Sequence, residues 1–132
     1  MEAIKIHKTI QERASKTLVR DINIETIAVN QWVRQGDIYI RRIEKITGEK
    51  RLSFRQLAPG TSKGSRHIVS EKPTIFEGYT GKDIPDLQKG PQIESKERFE
   101  VTHPEHANYS LPSGCYQVTY QTDFVRQTRV RD

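Results

Sequence analysis

The stretch CYQVTYQ at residues 115–121 decides the fold class, because its side chains alternate strictly in character. Tyr116, Val118 and Tyr120 fall on one face of an extended chain, and the residues between them fall on the other. Successive side chains of a β-strand point to opposite sides, so this period of two predicts a strand with one buried face.

The stretch GDIYIRRI at residues 36–43 repeats this alternation after the turn signal Gly36-Asp37. Arg41 and Arg42 point to opposite faces of the predicted strand, which is therefore half exposed or lines a polar cavity. Other short runs rich in β-branched and aromatic residues predict further strands over residues 26–29, 51–57, 66–69, 74–77, 98–102, 109–111 and 124–130.

Turn residues separate these runs at intervals of about 8–12 residues, a spacing typical of small sandwiches and barrels. We therefore expect one mainly all-β domain over residues 1–132, folded as a small antiparallel β-barrel or β-sandwich. Residues 1–25 are expected to form an N-terminal arm or helix. The apolar spacing of Ile10, Ala14 and Leu18 favours a short helix over 8–19. Residues 78–94 lack periodicity and are predicted to form a long surface loop.

The composition fits one domain with a modest core, since apolar residues make up 33% of the 132 residues and charged residues 30%. No window is long and apolar enough for a membrane span, and MEAIKIHKTI does not resemble a signal peptide. Cys115 is the single cysteine, which excludes an intrachain disulfide and fits a cytoplasmic location. The net charge of +5 falls within residues 1–60, so this half can attract an anionic partner.

The stretch LAPGTSKGSRH at residues 57–67 has features of an anion site. It combines two glycines and several hydroxyl groups with Lys63 and Arg66, and the backbone N–H groups of such a loop can converge on a phosphate. The strand-then-helix context of a phosphate loop is missing, so a plain turn between two strands is the alternative.

The sequence His103-Pro104-Glu105-His106 is the most compact set of potential metal ligands, and His67 could complete it across a sheet. Its spacing differs from H-E-x-x-H, and Pro104 favours a turn over a helix. A structural turn or a contact with an organic ligand is therefore the alternative to a metal site.

Catalytic groups are otherwise scarce. Cys115 opens an apolar strand and is expected to be a small core residue, with a Cys–His catalytic pair as the alternative. No pair of carboxylates indicates acid–base chemistry. The sequence therefore disfavours an enzyme.

Residues 103–121, HPEHANYSLPSGCYQVTYQ, together with residues 36–43 and 57–69, resemble a group of small, uncharacterised, β-rich bacterial and phage proteins. The shared pattern is approximately G-D-V, then L-A-x-G-x-x-x-G-H-x-H, then H-P-E-H and L-P-x-G-x-Y-x-V-x-x-Q. The resemblance implies no activity. It does imply that His67, His103 and His106 belong to one feature, and this histidine-rich pattern is similar to that of cupins. The chain departs from the pattern at Ser65, where the first histidine of G-H-x-H would stand.

Three hypotheses follow. The first is a small, soluble, non-enzymatic β domain that binds an anionic ligand or partner: a nucleotide, a short nucleic acid or an acidic protein surface. It needs no cofactor, and its expected ligand-binding residues are Lys63, Arg66, His67, His103, His106, Tyr109, Tyr116, Arg41 and Arg42. The second is a cupin-like enzyme with a divalent metal on His67, His103, Glu105 and His106. The third is a homo-oligomeric or partner-bound structural component of a phage or defence system.

Overall fold

The computed structural model describes residues 20–57, 67–78, 80–123 and 128–129 of the chain. Within these ranges the regular structure is all-β, as the alternation predicted, apart from a 3₁₀ turn at Asp86–Gln88. None of the described segments forms a helix long and apolar enough to cross a membrane. The strands are β1 (Asp21–Asn23), β2 (Trp32–Gln35), β3 (Ile38–Ile43), β4 (Arg51–Leu52), β5 (Ile68–Val69), β6 (Thr74–Phe76), β7 (Lys89–Ser95), β8 (Phe99–Thr102), β9 (Asn108–Leu111), β10 (Gly114–Tyr120), β11 (Thr122–Asp123) and β12 (Thr128–Arg129).

The strands form two main sheets and one small ribbon. The smaller main sheet has the order β1-β9-β8-β5, and the larger has the order β2-β3-β10-β7-β6-β4. All the pairs in them are antiparallel except β1–β9, which is parallel. Strands β11 and β12 pair with each other. Neither main sheet closes on itself, so the sandwich alternative describes the fold and the barrel alternative is wrong.

The inner faces of the two main sheets share one apolar core. Phe99 of the smaller sheet meets Tyr116 of the larger sheet edge to face, with ring centroids 5.4 Å apart. Val101 and Leu111 from one side and Ile40 from the other are fully buried around this contact. Burial of these alternating side chains holds the sheets together, as period-two strands require.

Strand β7 corrects the prediction of a loop over residues 78–94, because its residues 89–94 lie inside the larger sheet. Gly90 and Pro91 read as strand breakers, yet they stand opposite the single residue Val118, where the β7–β10 register shifts. Such a bulge accommodates a proline that has no N–H to donate. It also requires the glycine, since a Cβ on Gly90 would lie 2.8 Å from the carbonyl oxygen of Val118.

Several other boundaries also differ from the predictions. Residues 26–29 are irregular, because Ile24 and Ile27 anchor a crossing from the smaller to the larger sheet. Strands β1 and β2 were not predicted, and β1 occupies part of the predicted N-terminal arm. The helix predicted over residues 8–19 lies outside the described residues. The runs centred on β3, β8, β9 and β10 are confirmed as strands.

Candidate functional site

The structure brings His67, His103 and His106 together where the two sheets meet. Strand β5 pairs with β8 so that Ile68 faces Thr102. One residue further along the same antiparallel register, His67 faces His103, and their ring centroids lie 4.5 Å apart. The ring of His106 lies 4.4 Å beyond that of His103. The three imidazoles therefore form one column that leads from the buried interior to a partly exposed position.

The hairpin β2–β3 supplies the polar partners of His67. Its two-residue turn is Gly36-Asp37, and Gly36 has a φ of 59°, which glycine adopts without strain at the first central position of a type II′ turn. Gln35 and Asp37 flank this glycine and point back into the molecule. His67 Nδ1 lies 2.8 Å from Gln35 Oε1, and His67 Nε2 lies 2.7 Å from Asp37 Oδ1.

The hydrogen bonds of Gln35 identify which ring nitrogen of His67 is a donor. Gln35 Nε2 donates to the carbonyl oxygens of Val101 (2.9 Å) and Ala107 (2.7 Å), so its Oε1 must be the acceptor. His67 Nδ1 therefore carries hydrogen and donates to Gln35. The other ring nitrogen contacts the Asp37 carboxyl group. All three side chains are buried, so this network ties the hairpin of the larger sheet to the edge of the smaller one.

The turn at residues 103–106 is held by its own first histidine. His103 Nδ1 accepts the backbone N–H groups of Glu105 (3.0 Å) and His106 (3.2 Å). The backbone N–H of His103 donates to Asn108 Oδ1 at 2.9 Å, and Asn108 Nδ2 in turn donates to Asp21 Oδ1 at 3.0 Å. This pattern favours the structural-turn alternative for the HPEH sequence.

The same contacts engage several of the potential metal ligands. His67 has an oxygen partner on each ring nitrogen, and His103 Nδ1 accepts two hydrogen bonds, while Glu105 is exposed. Among the described residues, no group of three or more His, Cys, Asp and Glu side chains is arranged to hold a metal. The geometry therefore favours a structural role for this cluster.

The remaining predicted ligand residues are dispersed. Lys63 and Arg66 lie outside the described residues. Tyr116 is fully buried, and its hydroxyl donates to the carbonyl oxygen of Pro112 at 2.7 Å, so its ring has no face open to a ligand. Burial raises the pKa of Tyr116 to about 12, against the opposing effect of Arg42.

Tyr109 and Arg42 also make contacts that stabilise the fold. Tyr109 is half-buried in β9 and packs against the core, and this burial raises the pKa of its hydroxyl. Arg42 lies with its guanidinium carbon 5.7 Å from the centre of the Tyr116 ring and donates to the carbonyl oxygen of Ile27. Because Arg42 is five residues beyond Asp37, roughly 16 Å along the strand, it does not extend the histidine cluster.

Cys115 is half-buried on the outer face of β10 rather than in the core. Its Sγ lies 3.9 Å from Glu94 Oε2 on the neighbouring strand. Burial and the carboxylate both raise the pKa of the Cys115 thiol, which makes it a poor nucleophile. This environment gives no support to a catalytic Cys–His pair.

The outer face of the β2–β3 hairpin carries a group of residues that the sequence reasoning missed, apart from Arg41. Trp32 stands opposite Arg41 in the register, and Arg34 stands opposite Tyr39. The rings of Trp32 and Tyr39 meet edge to face with centroids 5.3 Å apart, and the Arg34 guanidinium lies 5.4 Å from the Tyr39 centroid. We call these four residues the aromatic–arginine face. The alternation of WVRQ and DIYIRR across the two-residue turn was the signal that could have revealed it.

A pocket of about 620 Å³ opens on the other face of the same sheet. Its walls are mainly apolar and include the side chains of Leu52, Phe54, Leu57 and Tyr120. Tyr120 donates its hydroxyl to the carbonyl oxygen of Leu57 at 2.8 Å, which fixes one wall. None of the predicted ligand-binding or metal-binding residues is among the described residues that line this pocket.

These features define an all-β domain of two open sheets joined by a buried polar network. Residues 34–121 match the family described as Domain of unknown function (DUF8820), and the chain belongs to that family. The matched segment begins and ends at two residues in contact, since Arg34 Nη2 donates to Gln121 Oε1 at 2.9 Å. No curated protein and no solved structure matches the chain.

Proposed function

We propose that this domain is a non-enzymatic binding module for an anionic ligand that carries rings, and specifically for short single-stranded nucleic acid. The aromatic–arginine face supports the proposal. Trp32 is 56% exposed there, although a tryptophan side chain usually gains stability from burial. Such a residue offers a flat apolar surface on which a base can stack.

The arginines place positive charge on both sides of these rings. Arg34 donates from Nε to the carbonyl oxygen of Gly36 at 2.8 Å, which holds its guanidinium beside Tyr39. Arg41 donates from Nη1 to Asn30 Oδ1 at 3.2 Å and lies across the strand pair from Trp32. Phosphates on either side of a stacked base would meet these two cations.

The acidic residue nearest in sequence does not cancel this charge at the surface. Asp37 belongs to the same hairpin, but it points inward to His67 and is buried. The excess of basic residues in the first 60 positions would add long-range attraction for a polyanion. The proposal includes a cytoplasmic setting and the bacterial or phage origin that the motif resemblance implied.

The single tryptophan makes the proposal directly measurable, because Trp32 is the only indole in the chain. We expect a ten-nucleotide oligothymidylate to quench its fluorescence saturably at low salt. Trp32→Ala should weaken binding of a labelled oligonucleotide about tenfold or more, since stacking contributes about 1–3 kcal/mol per base. Arg41→Gln should weaken binding and reduce the slope of log affinity against log salt by about 0.7.

Arg51→Gln is the matched control, because Arg51 is exposed on β4 at the far edge of the same sheet. We expect it to affect affinity much less than Arg41→Gln does. Absence of binding at low salt would disprove the proposal. Equal losses of affinity in the two arginine variants would show that the oligonucleotide is attracted by the overall positive charge and does not bind specifically at the aromatic–arginine face.

One further candidate is self-association, which the open sheets favour. Strand β2 is an edge strand and carries the exposed Trp32, and edge strands pair readily with other chains. A structural or assembly role of this kind predicts a dimer or larger species by light scattering at micromolar concentration. Trp32→Ala should then shift that mass towards the monomer. A monomer at every concentration would exclude it.

A further inference from the structure

The apolar pocket lies on the face of the larger sheet opposite to Trp32. Tyr120 of β10 shares the inner face with the core residues Tyr116 and Val118, whereas Trp32 and Tyr39 are on the outer face. Leu57 is 1% exposed and belongs to the core, so the pocket is continuous with the hydrophobic interior. Its volume of about 620 Å³ falls within the range of small-molecule sites, about 300–1,000 Å³.

Backbone packing prevents the floor of the pocket from being filled by side chains. A Cβ on Gly78 would lie 2.9 Å from the carbonyl oxygen of Gly90. A Cβ on Gly90 would in turn lie 2.8 Å from that of Val118. A Cβ atom does not come this close to a carbonyl oxygen in real structures, so glycine is required at both positions. At the rim, Phe54 keeps 55% of its surface exposed beside Leu52 and Pro91.

Two charged side chains are found among the described residues that line the pocket. Lys89 lines the pocket, but its Nζ lies 2.9 Å from Asp86 Oδ1. Glu77 is the acidic residue of the lining. An anionic ligand would therefore meet a lysine that is already paired and an exposed carboxylate, whereas a neutral ring system would cover the exposed apolar surface.

We propose that this pocket binds a neutral, largely apolar small molecule with an aromatic or alicyclic ring, held between Phe54 and Tyr120. The proposal is independent of the nucleic-acid proposal, since the two sites are on opposite faces of one sheet. Its ligand differs in charge from an oligonucleotide, so the two can be tested separately.

The test is a titration of the full chain with N-phenyl-1-naphthylamine, a neutral dye that fluoresces in apolar surroundings. We expect saturable binding with one site per chain. Phe54→Ala should weaken this binding about tenfold, because it removes an aromatic wall. Leu87→Ala is the matched control: Leu87 is 51% exposed but does not line the pocket, so its removal should change affinity less than twofold.

Two further measurements make the result specific. The anionic analogue 1-anilinonaphthalene-8-sulfonate should bind no more tightly than the neutral dye. A saturating oligothymidylate and the Trp32→Ala substitution should both leave dye binding unchanged. Because Phe54 is more than half exposed, the unfolding midpoint of Phe54→Ala should match that of the wild type, which excludes misfolding as the cause.

Three outcomes would overturn the proposal. They are no saturable binding of the neutral dye, equal affinities for Phe54→Ala and wild type, or tighter binding of the sulfonate than of the neutral dye. Each can occur whether or not the oligonucleotide binds, so failure here is distinguishable from failure of the proposed function.

Discussion

Removal of the His67 side chain should strongly destabilise the domain. The ring is fully buried and joins Gln35 and Asp37 of the larger sheet to the edge of the smaller sheet. His67→Ala deletes both hydrogen bonds. It also removes a 2.7 Å contact from the Asp37 carboxyl group, whose side chain is only 5% exposed.

The expected magnitude follows from this burial. Loss of a partner by a buried polar group costs about 1–3 kcal/mol, so the loss of both hydrogen bonds together with the packed ring should cost about 3–5 kcal/mol. Asp37→Asn should cost less, about 1–2 kcal/mol, because the amide can donate to a neutral imidazole and keep the hydrogen bond. His106→Ala should cost about 1 kcal/mol, since it removes the partly exposed end of the column.

Urea unfolding at pH 7, followed by circular dichroism, measures these differences. With a slope of about 1.5–2 kcal/mol/M, His67→Ala should lower the midpoint by roughly 2 M at an unchanged slope. The double variant of Asp37 and His67 should be less destabilised than the sum of the single variants, because they share one interaction. Added EDTA should leave the wild-type midpoint unchanged.

A loss below about 1 kcal/mol for His67→Ala would refute the structural role of this network. A wild-type midpoint that falls in EDTA, combined with an EDTA-insensitive His67→Ala variant, would instead establish a metal on these histidines. Elemental analysis of the purified protein would then identify the ion and favour the cupin-like alternative.

Two further predictions concern buried titratable groups. Burial raises the pKa of Tyr116 from 10.0 to about 12, because the folded protein favours the neutral phenol. The stabilisation that this preference provides is complete below pH 10 and is lost as the pH rises through 12. The wild type should therefore lose about 2 kcal/mol more than Tyr116→Phe between pH 9 and 12, measured by urea unfolding alongside tyrosinate absorbance. Equal losses would contradict this prediction. Cys115 should react with iodoacetamide more slowly than a free thiol at pH 8, because burial and Glu94 both raise its pKa. Glu94→Gln should accelerate the reaction, and an unchanged rate would show that the carboxylate plays no part.

The sequence was sufficient for strands whose alternation is simple and whose neighbours are close. β3 and β10 were predicted because each has one apolar face, and the larger sheet buries that face. β7 could not be predicted, since Gly90 and Pro91 are breakers in isolation and become acceptable only opposite the bulge at Val118. Local pattern holds no information about the register of a strand 27 residues away.

The candidate site, too, could be predicted from the sequence only in part. The motif resemblance correctly grouped His67, His103 and His106, and their rings do form one column. It could not reveal that Gln35 and Asp37 complete the network, because this contact joins two sheets whose packing depends on the whole core. Trp32 was overlooked for a different reason: exposure of a tryptophan is a property of the folded chain.

The parallel pairing of β1 with β9 has a consequence for synthesis on the ribosome. Asp21 of β1 and Asn108 of β9 are 87 residues apart, and they must meet before β1 can join the smaller sheet. At about 5–20 residues per second, a nascent chain would wait roughly 5–20 s between the emergence of β1 and that of its partner. During that interval Ile22 and Ile24 have no sheet to join. Strand β1, the first of the described strands, can therefore be placed only after β9 has emerged, and its apolar residues stay exposed until then.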